Sequence, residues 1–430
     1  VNESSRLDRA VQESMGIATR LFDEIRERTA DRGGVSREPY SPAEQRAIDT
    51  LTDVANSLQL ETRIDPFGNA YFILPGADRS APGWIIGSHV DSVECGGNFD
   101  GLAGVVAGMT TIAAFRKAGI VPAADVTVMG VRAEELSSWY GGHHDGHIGS
   151  RAALGLLPRA ELESAVSNRT GRTLASHMQE AGFQPDAVGA GRPYLDPARY
   201  KHYLELHIEQ GPVLEGRGFP VGVVTAIRGA TRARSCRCIG EYTHAGAVPR
   251  DYRRDAVKAT VELIHALERD WEATLAAGKD LVFTVGRLFT DSALHALTKV
   301  PGETGFALDF RSQDEQTLHE YAARTQSLAA ELATRYRVQF DLGQFSLHRP
   351  ARMADDIQAS MRDLCRTLGI PATDIPSGAG HDAQDFVHAG FTAGMIFVRN
   401  AHGSHNSREA MDMADFEMGT RVMAGLVGRG

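Results

Sequence analysis

The chain has 430 residues, too many for one ordinary core and enough for two, so two or three domains are expected. Its net charge of −10 and pI near 5.9 exclude a nucleic acid as the main partner, since phosphate binding needs a basic face, and make a small molecule the default substrate. Its cysteines, Cys95, Cys236, Cys238 and Cys365, form no CxxC pair and no regular disulfide framework, which suits a reducing compartment.

The opening segment, "VNESSRLDRAVQESMG", lacks the apolar run of a signal peptide, and no stretch approaches the ~18 uncharged apolar residues of a membrane span. A cytoplasmic protein that does not sit in a membrane is therefore expected. Because the first residue is Val, the true start is expected upstream. Residues 84–93, "WIIGSHVDSV", predict a strand running into a loop, 102–118 a small-residue helix that packs closely, and 125–135, "DVTVMGVRAEE", an apolar strand ending in two acids. Strand, helix and strand in succession imply a largely parallel sheet covered by helices, with its ligand crevice beyond the carboxyl ends of the strands. A helix at 163–182 and a loop at 183–199 read as a local insertion of no catalytic importance. The segment "LELHIEQGPVLE" (204–215) starts as a strand with Leu204, Leu206 and Ile208 on one face and Glu205, His207 and Glu209 on the other. Alternation alone predicts a half-exposed strand with its polar face outward.

Past a glycine-rich stretch, "GPVLEGRGFP" (211–220), the pattern changes. Strand (232–242), helix (251–276), strand (281–289), strand (305–311), helix (315–334) and strand (336–342) give the order βαββαβ, a complete small α+β domain inserted into the larger one. The expected boundaries are 1–216 and 345–430 for the larger domain and 217–344 for the insert.

Several clusters could carry chemistry. The glycine-rich loop "GSHVDSVECGGNFDGLAG" contains His89, Asp91 and Asp100; turn formation and capping explain such residues singly, and a close backbone approach to a ligand explains them together. Glu134 and Glu135 are either a solvated pair or a division of labour, one carboxylate on a metal and the other handling protons. Their side chains would point apart on a strand, so a turn or bulge must bring them together. His207 follows, and "NAHGSHNSRE" (400–409) adds His402 and His405. A set of His, Asp, Glu, His and His suits zinc or another first-row divalent ion, and exceeds one catalytic zinc site, which usually takes three protein ligands. Two ions sharing one carboxylate would use the whole set, and such a pair, about 4 Å apart, is equipment for hydrolysis.

The series "GSHVDSVECGGNFDGLAGV", "EE", "IGSRAALG", "LHIEQGPVLE", "THAGAVPRDYRRDA", "FALDFR", "SGAGHDAQDF" and "GMIFVRNAHGSHNSREAM" spans residues 87 to 411 and resembles the carbamoylase and allantoate-amidohydrolase branch of the M20 dimetal amidohydrolases. The resemblance implies an α/β fold: a dinuclear-metal, aminopeptidase-like catalytic domain with a mostly parallel sheet, carrying an inserted α+β lid through which the chain forms a homodimer. It implies two divalent ions (zinc, manganese, cobalt or nickel), one held by His89, Asp100 and His207, the other by Asp100, Glu135 and His405. Glu134 becomes the general base that takes a proton from the attacking water and delivers it to the leaving nitrogen, and Asp91 the residue that orients His89. Gln210 would contact the ureido or amide group, Arg311 would clamp a substrate carboxylate, and His244, on the lid, would reach the partner subunit's site and stabilise the oxyanion. In peptidase relatives the position of His207 is typically a carboxylate, so the histidine favours the ureido-hydrolysing branch.

Some residues depart from the family pattern. Thr298 stands where the family usually has an asparagine, "LSSW" (136–139) replaces "GSRF" and adds Trp139, and "NAHGSH" lacks the usual isoleucine between glycine and serine. His143, His144 and His147 crowd one loop, either as solvated histidines or as residues that reshape the pocket. Glu209 has no assigned task. The expected reaction is hydrolysis of an N-carbamoyl-L-amino acid or related ureido acid to the amino acid, ammonia and carbon dioxide. Allantoate or ureidoglycolate hydrolysis, and behind it aminoacylase or dipeptidase activity, are the rival chemistries; a catalytically silent dimeric binding protein is the rival of another class.

Overall fold

The computed structural model of the chain describes residues 3–142 and 146–429, so His143 and His144 lie outside the described residues. The chain divides into two compact units, Val1–Thr225 with Met353–Gly430, and Ala226–Arg352.

The first unit is built on a mixed sheet. From one side its strands run Val221–Ile227, Thr392–Val398, Tyr200–Ile208, Gly83–His89, Val126–Val131, Ala70–Leu74 and Glu61–Ile64. The strands from Thr392–Val398 to Val126–Val131 are mutually parallel. The flanking pairs are antiparallel, so the sheet is mixed rather than mostly parallel. Hairpin-like connections at Glu61–Leu74 permit that reversal, whereas the central strands need long crossovers. Helices Glu3–Thr29, Leu102–Ala118 and Met413–Val427 pack together in the core that covers this sheet.

Helix Leu102–Ala118 is buried nearly throughout, as its alanines and glycines require. A Cβ on Gly104 would lie 2.4 Å from the Leu206 carbonyl oxygen and 2.7 Å from the Ser88 Cβ, so only glycine lets this helix seat on the two strands that end at His89 and Ile208. The long N-terminal helix was legible in principle: Leu7, Val11, Ser14, Ala18, Leu21, Phe22 and Ile25 recur at helical spacing and are buried. The helix expected at 163–182 is interrupted. Helices Arg159–Ser164 and Leu174–Glu180 are separated by strand Val166–Ser167 and a turn in which Gly171 adopts φ 68°, after which the Thr173 hydroxyl caps the second helix.

The second unit has an antiparallel sheet ordered Val282–Phe289, Glu303–Ser312, Gly229–Ile239, Gln339–Asp341, with Phe345–His348 also paired to Gly229–Ile239. Helices Ala256–Ala276 and Glu315–Tyr336 supply the residues packed against it, including Leu263, Leu267, Leu318 and Leu328. The unit boundaries fall at 225/226 and 352/353, later than 216/217 and 344/345. Strand Val221–Ile227 pairs with Thr392–Val398, which holds its start in the first unit, and Phe345–His348 pairs within the second.

Candidate active site

Strand ends and loops of the first unit converge on Asp100. Strand Gly83–His89 ends at His89, and the imidazole is buried with Nδ1 3.1 Å from the Asp91 carbonyl oxygen. His207 occupies the end of Tyr200–Ile208, with Nδ1 2.8 Å from the Ile208 carbonyl oxygen. In both rings Nδ1–H donates to a carbonyl, which leaves Nε2 as the ring atom directed at the site. Those Nε2 atoms lie 3.7 Å (His89) and 3.2 Å (His207) from Asp100 Oδ1. The Gly101 N–H also approaches His207 Nε2, at 3.2 Å. Gly101 has φ 65° and a Cβ there would fall 2.3 Å from the His89 ring, so this turn demands glycine.

The strand with buried Glu205 and His207 is not half-exposed. Its polar face is covered by the loop and helix around 381–388: Glu205 accepts hydrogen bonds from Ser88 Oγ (2.6 Å) and Ala383 N (2.9 Å). Alternation was misleading because a central strand of an α/β sheet buries both faces.

The adjacent glutamates are brought together by a turn. Strand Val126–Val131 ends before Ala133, which adopts φ 60°. Beyond it Asp91 accepts the backbone N–H of Glu134 on Oδ1 (3.1 Å) and of Glu135 on Oδ2 (2.9 Å). Asp91 therefore organises the glutamate turn, besides lying with Oδ1 3.6 Å from His89 Nδ1. Glu135 Oε1 is 2.7 Å from His405 Nε2, which is itself 3.4 Å from Asp100 Oδ2. Glu134 Oε2 lies 4.0 Å from His89 Nε2. Burial pushes the Glu134 carboxyl well above its usual range, aided by the charge of Glu135 and opposed by His89 and His147. For Asp100, burial is outweighed by the two imidazoles beside it, His207 and His89, and its carboxyl is held well below the usual range.

The fold thus forms two donor groups that share Asp100: His89, Asp100 and His207, and Asp100, Glu135 and His405, with donor atoms in each group within 4.8 Å of one another. His402 is in neither group. The residues fit a cation: Asp100 Oδ1 is buried and accepts no hydrogen bond, although it faces two ring nitrogens. An anionic oxygen left this way is costly unless a positive charge compensates it. A third group, Glu205, His207 and His381, is already satisfied internally, since both Glu205 oxygens accept hydrogen bonds and His381 Nε2 lies 2.9 Å from Ser377 Oγ.

Gln210, with φ 63°, donates from Nε2 to Asp100 Oδ2 (2.9 Å) and leaves its own Oε1 buried without a partner. Its neighbour Glu209 acquires a structural task, accepting the Val213 (2.7 Å) and Leu214 (2.6 Å) N–H groups at the start of helix Val213–Arg217. Glu409 and Ser404, not singled out by sequence, hold Asp100 from behind. Glu409 Oε1 accepts the N–H of Phe99 (2.8 Å) and Asp100 (3.2 Å), while Ser404 Oγ donates to Glu409 Oε2 (2.7 Å) and contacts Asp100 Oδ2. Their signal was faint: a serine and an acid flanking His405 in "GSHNSRE". Trp139 is buried and donates from Nε1 to the Ser92 carbonyl (2.7 Å), tying the segment after the glutamates to the loop after His89.

His244, Thr298 and Arg311 belong to the second unit. Strands Thr243–His244 and Lys299–Val300 pair, and Ala245 N donates to the Thr298 carbonyl (2.8 Å). His244 is exposed, its Nδ1 accepting the N–H of Gly246 and Ala247 at 3.1 Å. Arg311 Nη2 lies 3.1 Å from Asp309 Oδ2.

The profile described as Peptidase family M20/M25/M40 matches residues 83–429. The chain is 33% identical to an N-carbamoyl-L-amino-acid amidohydrolase of Paenarthrobacter aurescens over 94% of this chain and 96% of the relative. It is 30% identical to the allantoate amidohydrolase of Escherichia coli (strain K12), over 91% of this chain and 92% of that one. Among solved structures, an amidase of the hydantoinase/carbamoylase family from Burkholderia multivorans superposes with a TM-score of 0.84 at 26% identity, covering 96% of this chain and 97% of that chain.

Proposed function

The chain belongs to peptidase family M20/M25/M40, and from that premise we propose that it is a hydrolase of the linear C–N bond of a ureido acid, an N-carbamoyl-L-amino acid before allantoate. The observation that carries this reading is the pair of donor groups sharing Asp100 with Glu134 at their edge, in a chain that aligns over nearly its whole length with enzymes bearing those names. His89, Asp100 and His207 would hold one divalent ion and Asp100, Glu135 and His405 a second. Ions bound there would acidify a water and polarise the scissile carbonyl.

The chain's own groups do the rest. Glu134, its proton affinity raised by burial, accepts the proton of the attacking water and passes it to the leaving nitrogen. Asp91 keeps the Glu134 and Glu135 backbone in place through both stages. Gln210, whose Oε1 has no partner, is suited to receive an N–H of the ureido group. Arg311 is assigned to the substrate carboxylate, which its planar guanidinium can grip with two bonds; His244 and Thr298 are assigned to further substrate contacts, His244 to the oxyanion. Cleavage of a carbamoyl group releases the amino acid and carbamate, which breaks down to ammonia and carbon dioxide.

The test is a panel of N-carbamoyl-L-amino acids, allantoate, ureidoglycolate, N-acyl amino acids and dipeptides, each assayed with manganese, zinc, cobalt or nickel. Turnover of an N-carbamoyl acid above all others is the expected result. Preference for a dipeptide or an N-acyl acid with no ureido hydrolysis would overturn the proposal, and inactivity with every metal would favour a binding protein.

A further inference from the structure

His147 stands in a histidine-crowded loop to which the proposed reaction gives no role. It is not a solvated histidine. Its side chain is 16% exposed, its backbone adopts φ 44°, and it immediately precedes helix Ile148–Ala153. Nδ1 lies 3.0 Å from Asp385 Oδ2 on helix Asp382–His388, and Nε2 lies 3.5 Å from Glu134 Oε1. The same Asp385 oxygen sits 3.4 Å from Ser150 Oγ, so Asp385 is itself anchored. Space for the ring is reserved by Gly380, where a Cβ would fall 2.6 Å from His147 Nε2.

We infer that His147, braced by Asp385, is a positioning residue that holds the Glu134 carboxylate in the orientation proton transfer requires. The geometry leaves Glu134 Oε2 towards His89 and engages Oε1, so one oxygen is steered while the other stays available. A carboxylate next to another carboxylate, Glu135, would otherwise swing away from it. The imidazole supplies the opposite charge on the far side, and Asp385 favours that charged form: burial works against it, but Asp385 and Glu134 raise the His147 pKa to about 10. The left-handed backbone at a residue other than glycine carries a local cost, consistent with a conformation kept for what the side chain does.

This inference rests on Glu134 being the base, and the experiment separates the two. The holoenzyme and the variants His147→Ala, His147→Gln and Asp385→Asn are compared for kcat, KM, metal content and crystal structure on the best substrate of the panel. His147→Ala should lower kcat about 10- to 100-fold, with KM changed less than about twofold, metal content retained, and the Glu134 side chain displaced while His89, Asp100 and Glu135 stay put. His147→Gln, which keeps a donor, should recover most of kcat, and Asp385→Asn should show a smaller loss in the same parameter. In a Glu134→Gln background, His147→Ala should have no further effect on the residual rate. An unchanged kcat in His147→Ala, or an unmoved Glu134 in its structure, would overturn the role of His147, as would equal losses in the Ala and Gln variants. An active, fully metallated Glu134→Gln enzyme would instead overturn the reading of Glu134 as the base.

Discussion

At the scale of single residues, proton transfer and scaffold can be separated by substitution. Glu134→Gln keeps the size and burial of the side chain but cannot accept a proton, so activity should fall about 10²- to 10⁴-fold while metal content, read by elemental analysis, stays at the wild-type level. Asp91→Ala should behave differently. It releases the N–H groups of both Glu134 and Glu135, so metal affinity and kcat should fall together, each by about 10- to 100-fold. Loss of activity with normal metal affinity would show that Asp91 does not set the glutamate turn. Type and spacing marked His89, Asp100, the Glu134–Glu135 pair, His207 and the His402–His405 segment as candidates, while the choice of Glu135 and His405 as ligands came from the family resemblance. Residues that act across the fold were not legible. Asp385 meets His147 from 238 positions away, and Glu409 reaches the Asp100 backbone from 309; neither local composition nor periodicity carries such a pairing. Glu209 was illegible for a simpler reason, since its partners are backbone N–H groups, which leave no mark on side-chain pattern.

Among elements, the seat of helix Leu102–Ala118 on the central strands decides where the donors stand. Gly104→Ala puts a methyl group against the Leu206 carbonyl and Ser88, and relieving that overlap means moving the helix or the strand ends. A loss of about 1–3 kcal/mol in chemical denaturation is expected, with a matching loss of metal affinity because His89 and His207 sit at those ends. Wild-type stability in this variant would refute the close-packing account. This helix and the neighbouring strands Gly83–His89 and Val126–Val131 stood out in the sequence as runs of apolar and small residues, not by an amphipathic period, since they are buried on every side. The helix expected at 163–182 ran across a break that the sequence does carry: "SNRTGRT" (167–173) has no apolar residue, and within it Gly171 turns the chain and Thr173 caps a new helix. Burial of the polar face of Tyr200–Ile208 was also beyond reach of the pattern, since the covering residues lie at 381–388.

For the whole molecule, the order of the inserted elements was readable, while its boundaries slipped because strand pairing, not the glycine-rich stretch, decides which unit owns Val221–Thr225 and Phe345–Arg352. Two predictions belong to this scale. Ions bound at the shared donors would favour the folded chain over the unfolded one, so a chelator should lower the melting temperature and added metal restore it, each site adding about 2.7 kcal/mol of stability at a hundredfold excess over Kd. Asp100→Ala, which breaks both groups, should abolish that response. If the chain forms the homodimer that the family resemblance implies, the second unit offers a surface for it: its edge strand Val282–Phe289 leaves Leu288 and Phe289 51% and 57% exposed. Light scattering should give twice the chain mass of 46.4 kDa. Charged replacements of Leu288 and Phe289 should halve it, and a monomeric wild type would refute the assignment.

The parallel pairing of Tyr200–Ile208 with Thr392–Val398 has a consequence for synthesis. A ribosome makes the strand that carries His207 long before its neighbour, and the entire second unit must emerge in between. Until then that strand is a bare, apolar edge, open to the wrong partner. Such distant pairing is slow to close. A nascent chain of this protein is therefore expected to need protection during exactly the interval in which its insert can already fold.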